Sequence, residues 1–315
     1  MIDVVALGEL LIDFAAKSTD AAGYPTMAAN PGGAPGNFLA ALNAYGRKTA
    51  FLGKVGNDAF GHLLLGTLNA AGIVTKGIVV DDSVFTTLAF VTFDESGDRS
   101  FSFARKPGAD TQLSWEEIDK SLIDEARVFH FGTLSLTDEP VRTATQKAVA
   151  YAKEHGKLIT CDPNLRLPLW KSEEAAKEQM LWSLHQADVV KISDNEVEFL
   201  WGCTPEAGAE KLLTEFGVGL AMVTLGPDGC LLKTKNASFR AACPKVHPID
   251  TTGAGDIFGG SAVSRLLELE KPIDALTEAD LAYIGCFAAT AASLSTEASG
   301  GIPSIPEKEA VLKAM

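Results

Sequence analysis

The sequence predicts an α/β fold: a mainly parallel sheet covered by helices on both faces, with a small second β-sheet set apart from it. Two observations predict it. Short apolar runs of strand length alternate with longer segments of helical periodicity along most of the chain. Strands buried on both faces read as continuous apolar runs, and parallel neighbours need helical crossovers between them. Two other segments break that rhythm and read as extended chain.

The elements follow in order. Val4–Gly8 is a buried first strand, and Ile12 to Ala29 is extended rather than helical. Asn37–Tyr45 and Phe60–Ala71 read as helices around a strand at Thr49–Val55. From Phe85 to Arg105 the chain alternates like a hairpin, with Thr86–Phe93 and Ser100–Arg105 flanking a turn at Asp94-Glu95-Ser96-Gly97-Asp98. Period two puts Phe101, Phe103 and Arg105 on one face. Strands are expected at Val128–Phe131, Leu158–Asp162, Val189–Ile192 and Ala221–Leu225. Helices are expected at Glu139–His155, Ser172–His185, Asn195–Trp201 and Pro205–Phe216. The apolar stretch from Leu281 to Leu294 is alanine-rich and too short to span a membrane, so it reads as a core helix.

Composition narrows the function classes. The 315 residues are 46% hydrophobic and 22% charged, as in a globular enzyme with a substantial core. A net charge of −14 argues against nucleic acid or an anionic membrane as partner. The five cysteines, Cys161, Cys203, Cys230, Cys243 and Cys286, have neither metal-ligand nor redox spacing, and the five histidines are scattered. Free thiols and a start without a basic, signal-like stretch lead to the expectation of a cytoplasmic protein.

The chemistry is concentrated near the C-terminus. Asp250-Thr251-Thr252-Gly253-Ala254-Gly255-Asp256 is a glycine-rich turn that ends in a carboxylate and runs into an apolar helical stretch. The backbone N–H groups of Gly253, Ala254 and Gly255 would lie uncovered at a helix N-terminus, where free donors and the helix dipole favour a phosphate. Asp256 is then a base beside an anion hole, which is most of what phosphoryl transfer to an alcohol needs. Taken alone the segment also reads as a structural turn with a capping aspartate. A second glycine-rich run, Asn30-Pro31-Gly32-Gly33-Ala34-Pro35-Gly36-Asn37, allows close backbone approach to a ligand and offers Asn37 as donor and acceptor for sugar hydroxyls. No Gly-x-x-x-x-Gly-Lys-[Ser/Thr] occurs, which excludes a P-loop kinase, and no dinucleotide fingerprint follows the first strand.

These two runs carry a resemblance. In company with Gly8-Glu9-Leu10-Leu11-Ile12-Asp13, Gly53-Lys54-Val55-Gly56-Asn57-Asp58 and Thr224-Leu225-Gly226-Pro227-Asp228-Gly229, the chain resembles the ribokinase-like (PfkB) sugar kinases over nearly its whole length, and among them the bacterial fructokinases. The resemblance implies a three-layer ribokinase-like core at 1–12, 30–84 and 106–315, with a β lid at 13–29 and 85–105. It implies Asp256 as catalytic base, Gly253, Ala254 and Gly255 as anion hole, and Asp13, Gly32, Gly33 and Asn37 on the sugar.

Asn195-Glu196-Val197-Glu198 matches the family's Asn-x-x-Glu, which ties Asn195 and Glu198 indirectly to magnesium; any acidic helix start offers the same letters. Lys191 and Ser193 precede that motif and are placed to reach phosphates. Thr224, Gly226 and Gly229 belong to the implied nucleotide turn. Where relatives often carry Asn in the late helix, this chain has Ala289, which leaves Thr290 to meet a base. Asp250 and Thr252 are the implied neighbours of a potassium ion.

Phe101 to Asp110 and Cys161-Asp162-Pro163-Asn164-Leu165-Arg166 are similar to the corresponding fructokinase stretches, which adds Phe103, Arg105, Asn164 and Arg166 to the sugar side. The alternatives are an exposed strand-end charge for Arg105 and a loop ion pair for Arg166. The resemblance thus implies an ATP- and Mg²⁺-dependent fructokinase, dimeric through the lid. The rivals are a 2-keto-3-deoxygluconate kinase, a nucleoside kinase and a non-catalytic sugar-binding protein.

Overall fold

The computed structural model describes residues 1–93 and 99–315, with the backbone alone at 92, 93 and 99–101. The chain runs β1 (Ile2–Leu7), β2 (Leu11–Thr19), β3 (Pro25–Gly32), α1 (Ala34–Ala44), β4 (Thr49–Gly56), α2 (Ala59–Ala70), β5 (Val74–Asp81), β6 (Thr87–Phe93) and β7 (Arg99–Ala104). It continues with α3 (Lys120–Glu125), β8 (Ala126–Gly132), α4 (Val141–Glu154), β9 (Leu158–Asp162), α5 (Glu173–Gln186), β10 (Val189–Ser193), α6 (Asp194–Trp201), α7 (Pro205–Thr214) and β11 (Leu220–Thr224). It ends with β12 (Cys230–Lys233), β13 (Ser238–Ala241), α8 (Ala254–Leu269), α9 (Glu278–Ser295) and α10 (Lys308–Ala314).

Among the described residues, nine strands form one sheet in the order β13-β12-β11-β10-β9-β8-β1-β4-β5. It is parallel from β11 to β5 and ends in an antiparallel pair, β12 and β13. The strand period divides the core. Val5 and Leu7 of β1 and Phe129 and Phe131 of β8 pack with α3, α4 and α7. Val4, Ala6 and Val128 point the other way, onto Phe38 and Leu42 of α1 and Val263 of α8. Helices α8 and α9 close that side further along, over Val189, Met222 and Leu232. The result is the three-layer, ribokinase-like α/β arrangement.

The second sheet has the order β3-β2-β6-β7, with β2 and β6 parallel and the other pairs antiparallel. Phe14 of β2 stacks on Phe90 of β6 at 5.3 Å and meets Phe60 of α2 edge-on at 5.4 Å, so aromatic contacts anchor this sheet to the core. Its strands reach Leu11 at one end and Gly32 at the other, a few residues beyond the lid segments the sequence implies. The expected hairpin turn at 94–98 lies outside the described residues. The strands β5, β12 and β13 and the helices α3 and α10 carry no clear period and are not anticipated by the sequence reading. Helix α1 begins at Ala34, not Asn37, because Pro35 fits a first helical turn that needs no N–H there. Asn37 therefore sits buried within that turn.

Candidate active site

The parallel strands end on one edge, and the loops beyond their carboxyl ends converge there, the general location of ligand sites in open α/β sheets. Helix α8 starts at this edge. Its N-cap, Gly253, has φ 76°, a left-handed conformation that costs an ordinary side chain energy. A Cβ at this position would also stand 2.9 Å from the Gly301 Cα. Glycine thus lets the chain turn sharply into the helix, whose first N–H groups have no intrahelical acceptor. The Ala254 N–H is an exception to the expected anion hole: it turns back onto the Thr251 carbonyl at 3.3 Å.

Asp256 lies in the first turn of α8 and accepts a hydrogen bond from Asn37 Nδ2 through Oδ2 at 2.9 Å. Helix α1 is thereby tied to that carboxylate. Burial raises the Asp256 pKa, while the Asn37 hydrogen bond, Lys191 and Arg166 oppose the rise. The other amide atom of Asn37, Oδ1, is buried and has no hydrogen-bond partner among the described residues. Buried acceptors without partners are rare.

In front of Asp256 is a cavity of about 480 Å³, within the range of small-molecule sites. Asp13, Gly33, Asn37, Phe103, Asn164 and Arg166 line it, together with Asp250, Thr252, Gly253 and Asp256. The second sheet supplies Asp13 and Lys17 from β2, Asn30 from β3 and Phe103 from β7, facing residues of the core. Asp13 is pushed up to about 6, chiefly by burial, with Arg166 opposing and Asp256 and Asp250 adding to the rise. Gly32 does not line the cavity; it leaves room for the Asp13 carboxylate, which a Cβ there would meet. Asn164 adopts φ 48°, a conformation asparagine tolerates, and its N–H donates to Asp162 Oδ1 at 3.2 Å. Both oxygens of Asp250 accept hydrogen bonds, from Thr252 and from the Gly300 N–H.

Arg105 needs correction. It is buried away from the cavity with its donors engaged: Nε and Nη2 on Asp110 at 2.8 and 2.7 Å, Nη1 on Thr137 Oγ1 and Nη2 also on the Leu134 carbonyl. The period-two alternation places β7 correctly, but the strand ends at Ala104 and the next residue turns inward to Asp110. Ser193 is likewise engaged, as N-cap of α6 in a reciprocal capping box with Glu196. Lys191 is buried and paired with Asp162. Asn195 and Glu198 are exposed at the start of α6. Thr224 donates to the Ile192 carbonyl at 3.5 Å, Gly226 and Gly229 take positive φ in the turn after β11, and Thr290 is buried in α9. None of these last four lines the 480 Å³ cavity.

Two residues without a role in the sequence reading enter the site. Glu9, 3% exposed, lines the cavity and accepts from the Ala34 N–H at 3.0 Å; burial pushes it up to about 7. Asp162 ends β9 beneath Asp256. The signal for both is a carboxylate at, or two residues beyond, the end of a largely apolar strand.

With this geometry in place, the comparisons are specific. The family model for pfkB family carbohydrate kinases matches residues 1–308. Fructokinase-2 of Solanum lycopersicum is 40% identical over 96% of this chain and 93% of its own length. The crystal structure of a Xylella fastidiosa fructokinase with bound ATP superposes with a TM-score of 0.91 at 28% identity, covering 100% of this chain and 98% of that one. A Vibrio cholerae fructokinase, solved in a fructose-, ADP- and calcium-bound form, superposes with a TM-score of 0.85 at 31% identity, covering 99% of each chain.

Proposed function

The chain belongs to the pfkB family of carbohydrate kinases, and from that premise we propose that it transfers the γ-phosphoryl group of ATP to D-fructose, giving fructose 6-phosphate and ADP. One observation carries the proposal. Asp256 stands at the first turn of α8 beside the open N–H groups, and Asn37, which holds it, presents a buried, unpartnered acceptor to the same polar cavity. A polyol fits that combination: one hydroxyl gives its proton to Asp256, and another donates to Asn37 Oδ1.

The transfer follows from the parts. Asp13, Asn37 and Asn164 orient the sugar, Asp256 accepts the hydroxyl proton as the oxygen attacks, and the N–H groups at the start of α8 meet the charge on the phosphoryl oxygens. The β2-β3-β6-β7 sheet acts as a lid that excludes water from the reacting groups. Magnesium would enter with the nucleotide to neutralise phosphate charge. Asn195 and Glu198, exposed oxygen-bearing side chains one helical turn apart, fit such a hard cation. Potassium would be held beside Asp250 and Thr252, hard oxygen donors that line the same cavity.

The lid sheet is also the proposed dimer surface, since sheet edges need cover. Among the described residues no helix is long and apolar enough to cross a membrane, and a cytoplasmic site is proposed from the free thiols.

A second reading rests on Arg166, which lines the cavity together with Lys17 and whose guanidinium suits a substrate carboxylate and hence 2-keto-3-deoxygluconate. Side-by-side kcat/KM values decide between them. D-fructose is expected to exceed the keto acid by at least roughly tenfold. A preference for the keto acid that disappears in Arg166→Ala would make the second reading the correct one.

A further inference from the structure

Beneath the turn lies a pair of charges that the transfer described above does not use. Lys191 and Asp162 come from β10 and β9, neighbouring parallel strands, and meet through Nζ and Oδ2 at 3.0 Å. Their side chains are 10% and 9% exposed. The ammonium is aimed at the anion turn: a methyl group built on Gly255 would stand 2.9 Å from Nζ. With Glu9, His130 and Asp256, the pair also lines a small cavity of about 20 Å³. A cation held against a helix N-terminus meets the positive end of the helix dipole, and a buried cation is costly without partners. Lys191 sits there against both tendencies, so its position is set by the carboxylates around it.

We propose that Asp162 and Lys191 are positioning residues for the transfer: Asp162 fixes the Lys191 ammonium beneath Gly255, and the ammonium keeps Asp256 in the ionised form that accepts a proton. The inference rests on Asp256 being the base.

The charges facing Asp256 come from every element around it. They are Glu9 after β1, Asp13 of β2, His130 of β8, Asp162 and Arg166 at and beyond the end of β9, Lys191 of β10, Glu196 of α6 and Asp250 ahead of α8. His130 carries no charge near neutrality, because burial, assisted by Lys191, lowers it to about 3. Its ring stacks on Phe38 and bonds to Thr160. Glu196 is held by the Ser193 N–H and hydroxyl and by the Leu165 N–H. Burial raises Asp13, with Asp256 and Asp250 adding to the rise against Arg166. That leaves Lys191 as the one buried cation within this group, with Arg166 at the rim. Burial lowers the Lys191 pKa, but Asp162, Glu196 and Asp256 outweigh it and hold the ammonium charged.

The two partners therefore have opposite signs. Lys191→Met removes a charge that favours ionised Asp256, so the acid limb of kcat/KM for the sugar is expected to move up by about one pH unit. Asp162→Asn leaves the ammonium wholly to Asp256, so the limb is expected to move down. The double variant is expected to lie between wild type and Lys191→Met. It replaces a buried pair at once, which commonly costs little stability, so it carries the test if a single variant does not fold. Limbs unmoved in the folded variants, or moved in the same direction by both single changes, would overturn the inference, because a purely structural pair alters melting temperature and maximal rate alone. A double variant with its limb at or below the wild-type position would do the same. Asp256→Asn run in parallel separates the failures. If it is inactive and the limbs stand still, only this inference falls; if it is active, both readings fall.

Discussion

Asp110 fixes Arg105. The pair is almost fully buried, at 2% and 3% side-chain exposure, and the Thr87 hydroxyl also donates to the same carboxylate. Removing one partner of a buried pair leaves an uncompensated charge, at a cost of about 3–5 kcal/mol. Arg105→Met is therefore expected to lower unfolding stability by that amount, measured with urea at neutral pH. Unchanged stability with a raised KM for the sugar would instead return Arg105 to the substrate. Glu9 makes a different prediction. Its folded pKa of about 7 lies above the ordinary 4.5 because burial disfavours the charged form. Such a group stabilises the fold fully below about pH 4.5 and loses that contribution as pH rises through 7. Glu9→Gln keeps an acceptor for the Ala34 N–H and removes the ionisation. Its melting temperature relative to wild type is expected to climb between pH 4.5 and pH values above 7, and a difference independent of pH would count against a buried, titrating Glu9.

At the scale of elements, the turn into α8 is constrained at its N-cap. Gly253 has a left-handed backbone, and an added Cβ would press on Gly301 and on Asn37 Nδ2, 3.1 Å away. Gly253→Ala is expected to lose about 1–2 kcal/mol of stability to backbone strain. Because Asn37 holds Asp256, kcat is expected to fall by roughly tenfold or more as well. Wild-type turnover in a folded Gly253→Ala protein would show that the base does not depend on this geometry. This turn was legible in the sequence because glycines and a carboxylate seven residues long make a local pattern with a local cause. The long buried strands and amphipathic helices were legible for the same reason. The edge strands β5 and β13, and the four-residue β12 between β13 and β11, were not, since edge and very short strands carry no clean period. Arg105 was misplaced because period two stops where the strand stops, one residue before it.

At the scale of the whole molecule, the contacts that make the site are non-local. Asn37 reaches Asp256 across 219 residues of sequence, and Lys191 reaches Asp162 across 29. Neither pairing has a sequence signature of its own; each exists because β9 and β10 lie side by side and α1 packs on α8. Family resemblance pointed to residue types, and the sheet order supplied their partners. In the proposed reaction core, lid and turn act together, and its rate tests that proposal directly. ADP formation from MgATP and D-fructose should be followed for wild type and Asp256→Asn, with nucleotide affinity measured alongside. Loss of a general base costs about 10²–10⁴-fold. The expected result is brisk turnover by wild type, a fall of that size in Asp256→Asn, and nucleotide affinity nearly unchanged. Retention of more than about a tenth of the wild-type rate by Asp256→Asn, or no fructose-dependent ADP from the wild type, would contradict the assignment.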